Sequence, residues 1–167
     1  MAKGDVKIAF TPYDSVPTWT FIVEDRTTNS ASATIKPGEP CKIRGAEDGN
    51  DVILVETGEP EITTDIFAGI AASESTETSS ADGTVELYLP LPGIVYRCAA
   101  TTSGNLGLGV MYDTVTFDLT GSTFTVDENE GSDENVHALR IMDYDSTNGT
   151  VDFIIKDEAT LFGCMVA

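Results

Sequence analysis

Lysine and arginine are scarce in this 167-residue chain: nine, against 28 aspartates and glutamates, for a formal net charge of −19. Between Arg44 and Arg97 there is no cationic side chain at all, while that interval carries 11 carboxylates. Phosphate affinity depends on clustered Lys and Arg, so nucleic acid is excluded as a partner, and an anionic membrane surface for the same reason. No run approaches the roughly 20 apolar residues that a spanning helix needs. Cysteine is sparse as well, with only Cys41, Cys98 and Cys164, widely spaced and without a CxxC pair. That odd, dispersed set excludes a disulfide framework and reads as small buried hydrophobes. MAKGDVKIAF has no apolar core of a secretion signal, which points to synthesis in a reducing cytoplasm.

Histidine is down to one, His137. A zinc site cannot be assembled from it and three dispersed cysteines at any recognisable ligand spacing. A Ser or Cys nucleophile would depend on this single imidazole, and no GxSxG elbow is present. GNLGLG at 104–109 lacks the strand–helix context of a dinucleotide-binding turn and reads as a loop. No catalytic residue, cofactor or metal ligand is assigned, and the chain is read as a non-enzyme.

Helical periodicity is missing too, and what replaces it is β-branched. Thr, Val and Ile together make 47 residues, types that suit pleated surfaces and lose rotamer freedom in helices. The clearest section runs from Ile66 to Cys98. There Val85, Leu87, Leu89 and Leu91 share one face and Thr84, Glu86 and Tyr88 the other, between Asp82-Gly83 and Pro92-Gly93 turns. Val115, Phe117 and Leu119 alternate later, as do Val151, Phe153 and Ile155. Turn signals at short, even spacing predict an all-β fold, an antiparallel β-barrel or sandwich. The Ser/Thr-rich bridge at 73–80 is expected as a surface loop.

At the N-terminus Val6, Ile8 and Phe10 alternate, then Trp19, Phe21 and Val23, with Pro12 and Pro17 between. Residues 1–24 are expected to form a hairpin or an extended arm that pairs outside its own fold, and residues 25–167 a single β domain. Phe10, Tyr13, Trp19 and Phe21 give this segment its aromatic density and are the candidate interface residues, since aromatics are enriched at binding hot spots.

Three acidic clusters test for calcium. DENEGSDEN at 127–135 offers Asp127, Asn129 and Asp133, DYDSTNG at 143–149 offers Asp143 and Asp145, and EDGND occupies 47–51. An EF-hand loop needs glycine at its sixth position; Ser132 and Asn148 stand there instead. Turns rich in Asp and Asn are ordinary between strands, and the clusters are read as turns.

KPGEPCKIR, DVILVETGEP and TDIFAGIAASESTETSSADGTVELYLPLPGIVYRCAA, taken together, resemble small β-barrel head proteins of tailed bacteriophages, the capsid decoration or cement proteins. GVMYDTVTFDLTGSTFTVDE fits more loosely. The resemblance implies a non-enzymatic protein bound outside a capsid shell, with the major capsid protein as partner and a homo-oligomer, trimer favoured. Another virion component, in the tail or fibre base, and a carbohydrate-binding β-sandwich are the alternatives.

Overall fold

The computed structural model describes residues 6–25, 34–44, 51–161 and 163. Its strands are β1 (Lys7–Phe10), β2 (Thr18–Val23), β3 (Pro40–Ile43), β4 (Val52–Leu54), β5 (Phe67–Ala71), β6 (Gly83–Tyr88), β7 (Val95–Ala99), β8 (Thr114–Val115), β9 (Phe117–Thr120), β10 (Thr123–Val126), β11 (Leu139–Asp145) and β12 (Thr150–Ile155). Two five-stranded antiparallel sheets, ordered β1-β7-β12-β11-β8 and β2-β6-β5-β3-β4, form a sandwich, with β9 and β10 as a separate hairpin. The fold is all-β, as the composition predicts, and of the two expected architectures it is the sandwich and not a closed barrel. The second sheet nonetheless curls until its edges touch, through a parallel bridge between Ile22 and Asp51.

Local pattern explains the best strands. Val85 and Leu87 on β6 are buried while Thr84 and Glu86 face solvent, and β12 buries Val151, Phe153 and Ile155 in strict alternation. The Pro92-Gly93 turn has Gly93 at φ 82°, and Asn148-Gly149, with Gly149 at φ 66°, joins β11 to β12.

The core is double. A larger cluster holds Tyr96, Phe117, Phe124, Leu139, Ile141 and Phe153, with Phe117 edge-on to both Phe124 and Phe153. A smaller one lies inside the curl of the second sheet and includes Val23, Cys41, Val52, Val85 and Leu87. Strand β5 is the wall between them and is buried along its whole length. Phe67 and Ile70 enter the larger core, Ala68 and Ala71 the smaller. A bulge makes this possible: Cys41 lies opposite Gly69 and Lys42 opposite Phe67, so Ala68 is the extra residue.

One expectation is corrected. The N-terminal segment is neither a hairpin nor an arm, because β1 pairs with β7 in the first sheet and β2 with β6 in the second. Residues 7–23 thereby belong to the same sandwich as the rest, with Val6 and Val23 buried in the two cores. The 73–80 bridge is a surface loop as expected, and it is tied down: Thr76 N–H donates to the Thr84 carbonyl, Glu86 N–H to Ser73 Oγ, and Ser75 and Glu77 are buried.

Candidate interaction surface

Among the described residues the large exposed apolar side chains are Phe10, Tyr13, Trp19, Ile22, Leu108 and Tyr112. They fall in two places. The first four lie on or between β1 and β2, which are the outer strands of the two sheets. Phe10 is 60% exposed and Trp19 61%, values far from those of core aromatics. Tyr13 sits in the connecting loop, where its hydroxyl donates to the Pro92 carbonyl at 2.9 Å. Of the four aromatics expected at an interface, Phe21 is the exception: it is half-buried and packs on the smaller core.

Strand β2 shows why Trp19 and Phe21 part company. Both point to the same side, but that side passes from solvent at Trp19 through Phe21 to the buried Val23. Leu89 N–H donates to the Pro17 carbonyl, and the pairing continues through Trp19 opposite Leu87. By antiparallel alternation the odd-numbered residues bond to β6, and Thr18 and Thr20 turn their main-chain groups to the open edge. A cleft of about 340 Å³, lined by Trp19, Phe21, Ile22, Ile43 and Leu161, runs beside that edge. A second cleft of about 510 Å³ opens between β1 and the second sheet, lined by Val6, Ile8, Val16, Ile70 and Tyr88 among others.

The second place is the Gly-rich loop before β8. Leu108 is 84% exposed and Tyr112 62%. Tyr112 has φ 69°, a left-handed conformation costly for a bulky residue. Two main-chain bonds to β11 hold it there, Tyr112 N–H to the Ile141 carbonyl and Ile141 N–H to the Asp113 carbonyl, both 3.0 Å. Neither residue stands out in the sequence, since a loop has no periodicity against which an exposed hydrophobe is out of phase.

The acidic clusters serve the backbone. In the 127–137 segment Glu130 Oε2 accepts from Thr116 N–H at 2.9 Å and from its hydroxyl, and Ser132 Oγ accepts from Thr114 N–H. Asp127 and Asp133 cap Asn129 and Asn135 N–H in Asx turns. The segment is a strap over the edge of β8. His137 belongs to it, with Nδ1 3.0 Å from the Thr114 carbonyl and Nε2 3.5 Å from Glu130. Asp145 caps the β11–β12 turn, and its hydrogen bonds from Asn148 and Thr147 hold its carboxyl below the usual range. Among the described residues no group of three or more potential ligands converges as a metal site. Of the third cluster only Asp51 lies within them.

Several titratable groups are buried or held in ion pairs. Cys41 and Cys98 are buried, Cys98 Sγ donating to the Phe124 carbonyl, and burial, aided by the Glu39 carboxylate, pushes the Cys41 thiol well up. Lys42 donates to Asp65 at 2.9 Å and also to Glu59, linking β3 to the segment between β4 and β5. Arg97 grips Asp152 through two bonds of 2.6 and 2.7 Å. Cys164 lies outside the described residues.

Comparison with protein-family models finds no match, and neither do comparisons with curated proteins and with solved structures.

Proposed function

We propose that this chain is a non-catalytic structural protein of a tailed-bacteriophage particle, a capsid decoration (cement) protein that binds the outside of the head as a homo-oligomer, with a trimer favoured and the major capsid protein as partner. The observation that carries the reading is the exposure of Phe10 and Trp19 on the outer strands of both sheets of an all-β, strongly acidic molecule. Aromatics presented on a rigid scaffold are effective anchors, and the acidity of the chain as a whole suits a basic partner surface. The sequence resemblance supplies the setting, a virion surface coated after synthesis in the host cytoplasm. Trp19 beside the 340 Å³ cleft is the one feature that favours a carbohydrate-binding sandwich instead. It stands second because Phe21, the other aromatic there, is half-buried.

The test is quantitative mass spectrometry of gradient-purified particles of the phage encoding the chain, with heads and tails separated. The expected result is the chain on heads, in amounts comparable to the major capsid protein. Recovery with tails alone would make it a tail or fibre-base component. Absence from particles, with glycan binding that a Trp19→Ala variant loses, would establish the carbohydrate reading.

A further inference from the structure

Charge is distributed along the first sheet in an ordered way. The strand registers place Lys7 opposite Arg97, Arg97 opposite Asp152, and Asp152 opposite Asp143. One row across four strands therefore runs from Lys7 on β1 through the Arg97–Asp152 ion pair on β7 and β12 to Asp143 on β11, with, among the described residues, an unneutralised cation at one end and an unneutralised carboxylate at the other. Lys36 adds to the cationic end, because Val6 N–H bonds to the Gly38 carbonyl two residues further on. Lys7 and Lys36 are both exposed, and neither belongs to an ion pair among the described residues. At the other end Asp113 flanks Tyr112 and Asp143 is exposed, while the cation there, Arg140 on β11, is paired with Glu134 of the strap.

The exposed hydrophobes divide along the same axis. Phe10 lies on β1 at one edge of the sheet. Tyr112 and Asp113 continue the line of β8 along β11 at the opposite edge, with Leu108 just before them. The two edges are thus unlike: one is cationic with an aromatic, the other acidic with a strained, clamped tyrosine and a leucine.

We infer that copies of this chain associate head to tail, the β1 edge of one copy, with Phe10 and Lys7, seating against the Leu108–Asp113 loop and the acidic β8–β11 edge of the next. Each exposed charge pair contributes only about 0–1 kcal/mol, so the charges set orientation while the buried aromatics supply affinity. Contact between unlike surfaces is heterologous, and the rotation per copy determines whether it closes into a ring. The strap already satisfies the main-chain groups of β8, so the contact is made by side chains rather than by strand addition. The inference specifies the surfaces of the self-association in the reading above, but it concerns the isolated protein and can be tested without a capsid.

Sedimentation velocity and native mass spectrometry of the full chain, across a concentration series, provide the test. One variant, Phe10→Glu, alters the β1 edge. Another, Leu108→Ser with Tyr112→Asn, alters the loop, asparagine being tolerant of a left-handed backbone. Melting curves confirm that both remain folded. Each variant alone should lose association by about thirtyfold or more in Kd. Mixed together, the two should form a 1:1 heterodimer, because each retains the surface the other lacks. A wild-type chain that is monomeric throughout overturns the inference. So does an oligomer that only one variant weakens, or a mixture that yields no heterodimer. A monomeric chain still found on heads overturns this contact alone, whereas an oligomer absent from particles overturns the particle assignment alone.

Discussion

Cys41, Tyr96 and Lys42 owe their chemistry to where they are buried, and all three act on stability in the same direction. Burial raises Cys41 above its ordinary 9.0 and Tyr96 above 10.0, since neither anion is tolerated in the core. For Lys42 burial alone would lower the value from 10.5, but the hydrogen bonds to Glu59 and Asp65, with their charges, outweigh it and raise it. A raised folded-state pKa means that the native chain holds its proton while the unfolded chain releases it. The stabilisation is complete below the unfolded values and fades as pH climbs past them. Denaturant titrations from pH 7 to 10.5 should therefore show stability falling from about pH 9, each titrating group adding a slope of up to about 1.4 kcal/mol per pH unit. A Cys41→Ala variant should lose one group's share of the slope between about pH 9 and 10. A flat profile across that range would contradict the burial of these groups.

At the scale of elements, β5 carries the most consequence per residue. It has no solvent face, and its bulge distributes Phe67 and Ile70 to one core and Ala68 and Ala71 to the other. Gly69 is required there on two counts. Its φ is 150°, and a Cβ would sit 2.3 Å from the Tyr88 carbonyl oxygen, a backbone atom that cannot swing away. Gly69→Ala should destabilise the protein by about 3 kcal/mol or more, read as a lower midpoint in chemical denaturation. Gly58→Ala makes the useful comparison, since Gly58 also has positive φ but open space around it, and should cost less. An equal loss in both variants would show that the bulge is not the constraint. FAGIA reads in the sequence as an apolar strand, but its two-sided burial does not, because a bulge leaves no mark in a period-two pattern.

For the whole molecule, charge balance is the governing quantity. Lys42, Arg44, Arg97 and Arg140 are already in ion pairs, and Lys156 bonds to the Glu134 carbonyl. Most of the 28 carboxylates consequently have no cation of their own, and the fold works against self-repulsion. Raising NaCl from about 10 mM to about 1 M shortens the Debye length from about 30 Å to about 3 Å. The melting temperature of the isolated chain should rise over that range, while attachment to a basic shell surface should weaken. A melting temperature that falls with salt would mean that the few internal pairs outweigh the repulsion. Attachment that is indifferent to salt would point to an apolar contact made by Trp19.

The residue pattern by itself determined the class of fold, the faces of β6 and β12, and the Pro92-Gly93 and Asn148-Gly149 turns. These are local matters, set by side-chain alternation and by the dihedrals a residue can adopt. It also marked Phe10, Tyr13 and Trp19 by their density. Only the tertiary structure decided that β1 and β2 belong to different sheets, since alternation names a buried face but not a partner strand. Only the curl of the second sheet separated Phe21, drawn into the smaller core, from Trp19, left outside on the same side of the same strand. Long-range contacts likewise made the 127–137 carboxylates a strap for β8 and set Leu108 and Tyr112 at the edge opposite Phe10. Which surfaces remain open depends on what every other strand has already covered, and that is a property of the assembled sandwich.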